Sequence, residues 1–275
     1  MPIGKELRAR RWCSRGRTVI VALDHGNAAG IVRGLEDPLS IVKICDGAGA
    51  DGVLITPGVL EQVHGSLGNL SVFLRLDGAV STAGPGGPMR LYCDVQQAVK
   101  LGADAAVVNC TVGAAHEAFE LEKVGRVSSG GRDWGLPVVA EMLSERMMAN
   151  HMDMTGAGED ELPEDVGADV GLAARLGAEL GADAIKTRYS GDRESFRRVV
   201  ASVGRPILVA GGPMRDGTLA STLGLVDEVL EAGASGVIFG RNVWQHPDPA
   251  EALRAICAMV HDDATVEEAI GIAQV

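Results

Sequence analysis

Short β-branched runs alternate with alanine-rich helical segments along the chain, and this alternation restricts the fold more than any other feature. Continuous apolar runs of this kind are typical of strands buried on both faces of a parallel sheet. The eight predicted strands are residues 18–23, 52–55, 72–76, 105–108, 137–140, 184–186, 206–210 and 236–240. Four helical segments end in Gly-Ala-Asp or Gly-Ala-Ser and lead directly into the next strand, at residues 49–51, 102–104, 181–183 and 233–235. The glycine closes each helix and keeps the connection short.

Eight β-α units in 275 residues predict an α/β protein, a (β/α)8 TIM barrel formed by a single domain over residues 1–275. A doubly wound open sheet is the alternative, but no GxGxxG motif follows the first strand. We assign residues 1–17 as a basic N-terminal leader and residues 142–165 as a long loop after strand five. That loop is rich in methionine and then acidic, and it fits a mobile lid or a surface for subunit contacts equally well.

Charge, apolar runs and cysteine content indicate which kinds of partner the protein is expected to bind. The formal net charge of −12 argues against broad attraction to nucleic acid, although an acidic protein can still hold a local basic pocket for a phosphorylated metabolite. No apolar run reaches the length of a membrane helix, and the leader lacks the apolar stretch of a secretory signal, so a cytoplasmic location is expected. The five scattered cysteines form no CxxC pair and indicate neither a disulfide framework nor a zinc site.

A lysine at the end of a buried strand is the strongest chemical signal in the sequence. Lys186 ends the sixth predicted strand, which places its amine at the carboxyl mouth of the barrel, where TIM barrels carry their active sites. Burial lowers the pKa of an ammonium group, and a neutral amine attacks carbonyls to form Schiff bases. The alternative is a structural lysine whose amine extends to solvent. Arg188 follows at the same mouth and is a candidate for substrate binding.

Two polar residues end the first strand. Asp24 could stabilise an iminium ion or move protons while a carbinolamine forms and collapses. The alternative is an aspartate that caps the following turn. His25 fits a substrate contact and a scaffold hydrogen bond equally well. No histidine spacing typical of a metal site appears, so neither a metal nor a cofactor is expected.

Glycines follow the last two strands. Gly211 and Gly212 come after strand seven, and Gly240 and Arg241 come after strand eight. Glycine lets backbone N–H groups approach phosphate oxygens, and arginine adds a bidentate donor, so the four residues predict a phosphate site. The alternative is two ordinary tight turns.

Three groups of motifs resemble the archaeal-type class I aldolases of the DeoC/FbaB superfamily. They are VALDHG at 21–26 with GLED at 34–37, GAELGAD at 177–183 with KTRYSGD at 186–192, and AGGP at 210–213 with GRNVWQH at 240–246. Together they span almost the whole chain. The resemblance is greatest to the branch of the 2-amino-3,7-dideoxy-D-threo-hept-6-ulosonate synthases and of an enzyme of aminohydroxybenzoate biosynthesis that joins dihydroxyacetone phosphate to aspartate semialdehyde.

The resemblance implies roles for particular residues and one departure. The Schiff-base lysine of the family matches Lys186, and its strand-one aspartate matches Asp24. The family also has a tyrosine acid/base in a Tyr-Pro-Arg-Gly stretch, but residues 143–146 here are LSER, so Leu143 takes the place of that tyrosine. Glu141 lies two residues earlier and, by strand periodicity, faces the same side, so it is the predicted substitute. His151 is the second candidate.

From these observations we expect a class I aldolase, a lyase. Its donor is a phosphorylated ketone, dihydroxyacetone phosphate, and its acceptor is an aldehyde, L-aspartate 4-semialdehyde. The alternatives are 2-amino-3,7-dideoxy-heptulosonate synthesis, fructose-bisphosphate aldolase activity and, from another class, a non-catalytic barrel that binds phosphosugars. The family resemblance implies a homo-oligomer.

Overall fold

The computed structural model describes residues 2–78, 80–84, 86–147, 166–213 and 218–273, and these contain a closed barrel of eight parallel strands. The barrel strands are β1 (Thr18–Ala22), β2 (Gly52–Ile55), β3 (Ser71–Arg75), β4 (Ala105–Val112), β5 (Val138–Ser144), β6 (Ala184–Arg188), β7 (Ile207–Ala210) and β8 (Gly236–Phe239). Consecutive strands are neighbours, and β8 closes on β1. The predicted single-domain TIM barrel is confirmed, and all eight predicted strands are present.

Helices surround the strands. Those in the described residues are α1 (Ile3–Trp12), α2 (Gly26–Ala29), α3 (Pro38–Ala48), α4 (Pro57–Val63), α5 (Val95–Lys100), α6 (Glu117–Trp134), α7 (Val166–Glu179), α8 (Arg193–Val203), α9 (Leu219–Glu231), α10 (Arg241–Trp244), α11 (Pro249–Asp262) and α12 (Val266–Ala273). The larger apolar cluster lies between strands and helices, and a smaller one lies inside the barrel. None of the helices within the described ranges is long and apolar enough to cross a membrane.

The Gly-Ala-Asp motifs close the bottom of the barrel. Their glycines adopt positive φ angles, for example 86° at Gly49 and 92° at Gly181, which favour glycine at a helix end. The aspartate of each motif then accepts a backbone N–H from a neighbouring strand. Asp51 bonds Val19 N at 2.7 Å, and Asp183 bonds Val138 N at 2.9 Å. The motif therefore serves the fold, since it both ends a helix and fixes the start of a strand.

Part of the predicted leader closes the same end. Residues 3–12 form α1, and the ring of Trp12 packs against Phe73 inside the barrel with their centroids 5.2 Å apart. Lys5 is buried and its Nζ lies 2.6 Å from Asp183 Oδ2. At least one basic residue of this segment, Lys5, therefore forms a buried ion pair with the barrel.

Two features concern the mouth. A short antiparallel ribbon pairs Asp77–Gly78 with Arg90–Leu91, which the strand pattern did not predict. Strand β5 continues to Ser144, so the first three residues of the predicted loop 142–165 belong to the barrel. Residues 148–165 of that loop lie outside the described residues.

Candidate active site

A layer of polar side chains lies directly above the apolar interior of the barrel. Residues two apart in a strand point to the same side. The interior residues Ala22, Phe73, Val107, Val139 and Ala184 are each followed two positions later by a polar residue, and these are Asp24, Arg75, Asn109, Glu141 and Lys186. All five line one pocket at the carboxyl end of the barrel. Strand periodicity therefore brings the predicted catalytic residues together, as the sequence analysis expected.

Lys186 and Glu141 are direct partners. The pairing of β5 with β6 sets the two residues side by side, and Lys186 Nζ lies 2.6 Å from Glu141 Oε1. Lys186 is 5% exposed and Glu141 is 4% exposed, so this ion pair is held away from bulk solvent. A carboxylate at this distance can take a proton from the ammonium group or return one.

Arg75 is the site residue that the sequence analysis did not select. It is the last residue of β3 and falls inside the apolar run that was predicted as strand 72–76. Arg75 Nε donates to Asp24 Oδ2 at 2.7 Å, and Nη1 donates to Asp77 Oδ1 at 3.4 Å. Nη2 donates a short hydrogen bond to Glu141 Oε2. The available signal was a charged residue within an apolar strand, two positions after Phe73.

Asp77 anchors the network to the scaffold. It is fully buried, its Oδ2 accepts from Asn109 N at 2.8 Å, and Lys123 Nζ from α6 lies 2.7 Å away. The Asn109 side chain is also buried, and within the described residues its Oδ1 has no hydrogen-bond partner. A buried acceptor that faces a pocket in this way is suited to a ligand hydroxyl.

Electrostatics separate the two residues that end β1. Burial alone would raise the pKa of Asp24, but Arg75 and Lys186 outweigh it and hold the pKa below its usual value, so the carboxyl stays ionised. Burial lowers the pKa of His25 to about 4, helped by Arg241 and Lys186 and opposed by Asp24. His25 is therefore neutral at physiological pH, and its ring packs edge-on against Trp244.

The predicted phosphate residues lie in the same pocket. Gly211, Gly212, Gly240 and Arg241 all line it, and Arg241 is 2% exposed. Packing already requires glycine at two of these positions. A Cβ on Gly211 would lie 1.9 Å from Asn242 Oδ1, and one on Gly240 would lie 2.6 Å from His25 Cε1. The case for phosphate therefore depends on their position in the pocket with Lys186, and the glycines alone do not establish it.

Two other residues named in the sequence analysis do not line this pocket, and a third is not among the described residues. Arg188 is buried, and its Nη1 donates to Met147 O at 3.4 Å, but it does not line the pocket that the described residues form. Leu143 is fully buried in the larger apolar cluster and does not line that pocket either. His151, the second candidate for the acid/base, lies outside the described residues. Across those residues, no group of three or more His, Cys, Asp or Glu side chains could hold a metal ion.

Comparison with known proteins gives one consistent family. Residues 18–246 match the model of the DeoC/LacD family aldolases. The chain is 35% identical over 270 residues to a 2-amino-3,7-dideoxy-D-threo-hept-6-ulosonate synthase of Halobacterium salinarum, covering 97% of this chain and 95% of that protein. It is 32% identical over 270 residues to a class 1 fructose-bisphosphate aldolase of Thermoproteus tenax, covering 96% and 97%.

A solved structure agrees with these sequence matches. It is described as a Schiff base forming fructose-1,6-bisphosphate aldolase, and it is 33% identical to this chain with a TM-score of 0.81. The match covers 94% of this chain and 99% of that one.

Proposed function

The chain belongs to the DeoC/LacD family of aldolases, and on that premise we propose a substrate pair and a role for each residue of the pocket. The enzyme joins dihydroxyacetone phosphate, the donor, to L-aspartate 4-semialdehyde, the acceptor. The observation that carries the proposal is the buried Lys186–Glu141 pair, which shares one pocket with the glycines after β7 and β8.

Lys186 is the nucleophile. Its ammonium passes a proton to Glu141, and the neutral amine attacks the ketone carbon of the donor to form a carbinolamine. Loss of water gives an iminium ion, with the ionised Asp24 close enough to stabilise its charge. Glu141 then removes a proton from the donor carbon next to the iminium. The resulting enamine attacks the aldehyde to form the new carbon–carbon bond, and Glu141 returns its proton to the aldehyde oxygen, which becomes a hydroxyl. Hydrolysis releases the product and restores the lysine.

The other pocket residues hold the donor. Backbone N–H groups of Gly211, Gly212 and Gly240 approach the phosphate, and Arg241 supplies positive charge. The unpartnered Oδ1 of Asn109 accepts a hydrogen bond from a hydroxyl of the donor. Neutral His25 fixes the shape of the pocket next to Gly240 rather than transferring protons.

The acceptor follows from the family branch and from the missing tyrosine. Leu143 cannot transfer a proton, which argues against ordinary fructose-bisphosphate aldolase activity. A second candidate is synthesis of 2-amino-3,7-dideoxy-D-threo-hept-6-ulosonate, which the 35% identity to the Halobacterium salinarum enzyme favours.

Borohydride reduction with dihydroxyacetone phosphate tests the mechanism. We expect mass spectrometry to find the reduced donor on Lys186 and to leave Lys123, another buried and ion-paired lysine, unmodified. An unmodified Lys186, or retained activity in Lys186→Ala, would contradict the mechanism. A panel of aldehydes then tests the acceptor. If glyceraldehyde 3-phosphate competes successfully with aspartate semialdehyde, the assigned acceptor is wrong.

A further inference from the structure

Arg75 joins the two carboxylates that the proposed mechanism uses. Its Nε bonds Asp24 Oδ2 at 2.7 Å, and its Nη2 bonds Glu141 Oε2 on another strand. Nη1 reaches Asp77 at 3.4 Å, so all three nitrogens of the guanidinium contact a carboxylate. Arg75 is 6% exposed, which makes this a buried network and not a surface ion pair.

The network is balanced in charge. Among the described residues its ion pairs join three carboxylates and three cations, whose charges sum to zero: Asp24, Asp77 and Glu141 against Arg75, Lys123 and Lys186. Burial would lower the pKa of Arg75, but Asp24, Glu141 and Asp77 raise it well above its usual value. Arg75 is therefore a permanent cation in this network.

The net charge of the Lys186–Glu141 pair does not change during the proposed aldol reaction. Lys186 and Glu141 together carry no net charge as ammonium with carboxylate, as amine with carboxylic acid, as iminium with carboxylate, and as enamine with carboxylic acid. Each step moves one proton between neighbouring groups, so the net charge of the Lys186–Glu141 pair stays at zero. The whole network stays neutral only while Arg75 and Lys123 offset the charges of the other two carboxylates, Asp24 and Asp77.

Without Arg75 the described ion-pair network would retain three carboxylates and only two cations, Lys123 and Lys186. Carboxylates that crowd together cannot all stay ionised, so one of them would take up a proton or turn away from the others. Either change would remove a base or displace it from Lys186. Misplacing a catalytic group by about 1 Å can cost about 100-fold in rate.

We propose that Arg75 is a positioning residue, which holds Asp24 and Glu141 ionised and in register beside Lys186 so that one proton can pass back and forth during the aldol reaction. It acts through the two carboxylates. The guanidinium group suits this task because its planar fork presents several donors in fixed directions, whereas a lysine offers one compact charge. This inference rests on the proposed function.

The test compares Arg75→Ala and Arg75→Lys with the wild-type enzyme, using dihydroxyacetone phosphate and aspartate semialdehyde. Borohydride trapping on wild-type Lys186 comes first, because its absence would refute the proposed function without bearing on Arg75. With trapping established, we expect Arg75→Ala to be trapped still, to lose on the order of 100-fold in kcat, and to change KM for the donor little. A loss confined to KM, or an unchanged kcat, would overturn the inference.

Guanidinium rescue separates positioning from a general role in folding. Arg75→Ala leaves a cavity of matching shape between carboxylates, so guanidinium ion at about 50 mM, well below denaturing concentrations, should restore a large part of kcat. No recovery in a folded Arg75→Ala protein would overturn the inference. If that variant fails to fold, Arg75→Lys replaces it. We expect kcat well below wild type because the fork is lost, and wild-type kcat would overturn the inference.

Lys5→Met is the matched control. It removes a buried cation from a carboxylate at the opposite end of the barrel, where Lys5 Nζ lies 2.6 Å from Asp183. It therefore has a comparable effect on folding and none on the mouth. We expect its kcat to stay within about twofold of wild type, which is within the scatter expected for distant independent sites. A kcat loss equal to that of Arg75→Ala would attribute both effects to stability and overturn the inference.

Discussion

Glu141→Gln is the substitution that most directly tests the assigned acid/base. Gln keeps the size and shape of the side chain and still offers an oxygen to Arg75, but it cannot take a proton from Lys186. In the wild-type protein Glu141 Oε1 lies 2.6 Å from Lys186 Nζ. The substitution therefore removes one negative charge and one base from a site that is otherwise unchanged.

The expected magnitude follows from two separate effects. At 2.6 Å and an effective dielectric constant of about 20, the attraction between the charges is about 6 kcal/mol. The ammonium and the iminium of Lys186 carry the same charge at the same atom, so most of this loss cancels between them. What remains is the proton transfer itself, and losing a positioned acid/base typically costs about 100- to 10,000-fold. That range corresponds to about 2.7–5.5 kcal/mol in the barrier.

The assay follows Schiff-base formation and turnover separately. We expect Glu141→Gln to be trapped by borohydride on Lys186 with dihydroxyacetone phosphate, because water can remove the amine proton slowly. Exchange of the donor proton with deuterated solvent and condensation with the aldehyde should both fall by about 100- to 10,000-fold. Near-normal exchange in Glu141→Gln would refute the reasoning. The base would then be water held by Asp24, or His151.

The remaining predictions concern the phosphate residues, stability and pH. Gly211→Ala should raise KM for dihydroxyacetone phosphate strongly, because the new Cβ would lie 1.9 Å from Asn242 Oδ1. Gly224→Ala in α9 is the control, because a Cβ there meets no atom within 4 Å, and it should leave steady-state kinetics unchanged. Lys5→Met should lower the free energy of unfolding by about 3 kcal/mol in urea titrations, because it leaves a carboxylate without its buried partner. The pKa of His25 is about 4 in the folded protein and about 6.5 in the unfolded chain, so the unfolded state binds the proton first as pH drops. The free energy of unfolding should therefore fall between pH 6.5 and pH 4, by about 3 kcal/mol over the whole interval. Urea titrations between pH 7.5 and 4 measure how the free energy of unfolding depends on pH. The part of this dependence that His25 contributes should be absent in His25→Gln, and an unchanged dependence would contradict the assignment.

The fold was largely predictable because one physical pattern repeats. Strands buried on both faces are continuous apolar runs, and four of the eight are preceded by the same glycine turn, so eight units could be identified without any contact between them. The bottom of the barrel shows why the motif recurs. Asp51, Asp104 and Asp183 each accept a strand N–H, at 2.7, 2.9 and 2.9 Å. The antiparallel ribbon at 77–78 and 90–91 was not predictable, because strands of two residues carry no periodic signal.

The candidate site was predictable where a strand end could be located and missed where it could not. Lys186 stands at the end of its apolar run, so its charge was conspicuous. Arg75 lies between Leu74 and Leu76, and we treated it as part of the strand body. Phe73 points into the barrel, so Arg75, two residues later on the same side of the strand, points into the pocket. Which side of this strand faces inward is determined only when the partner strands are in place.

Arg188 shows the limit of the same rule. It continues the interior series after Lys186, yet it contacts Met147 O and does not line the pocket of described residues. Periodicity gives the side of the sheet that a residue faces, but not its height along the barrel axis. Whether a side chain reaches the ligand depends on the loops above it, and loop conformation cannot be inferred from spacing.

The proposed exchange of a tyrosine acid/base for Glu141 gives Arg75 a physical reason. A tyrosine acid/base is neutral at rest, so it adds no charge beside a Schiff-base lysine. Glu141 is ion-paired with Lys186 and Arg75, and it stands in a buried site that already contains Asp24 and Asp77. Desolvation and mutual repulsion would protonate one of these carboxylates unless a permanent cation lay among them. Arg75 contacts all three. A carboxylate at position 141 and an arginine at position 75 are therefore parts of one arrangement, since the first can act as a base only where the second offsets its neighbours.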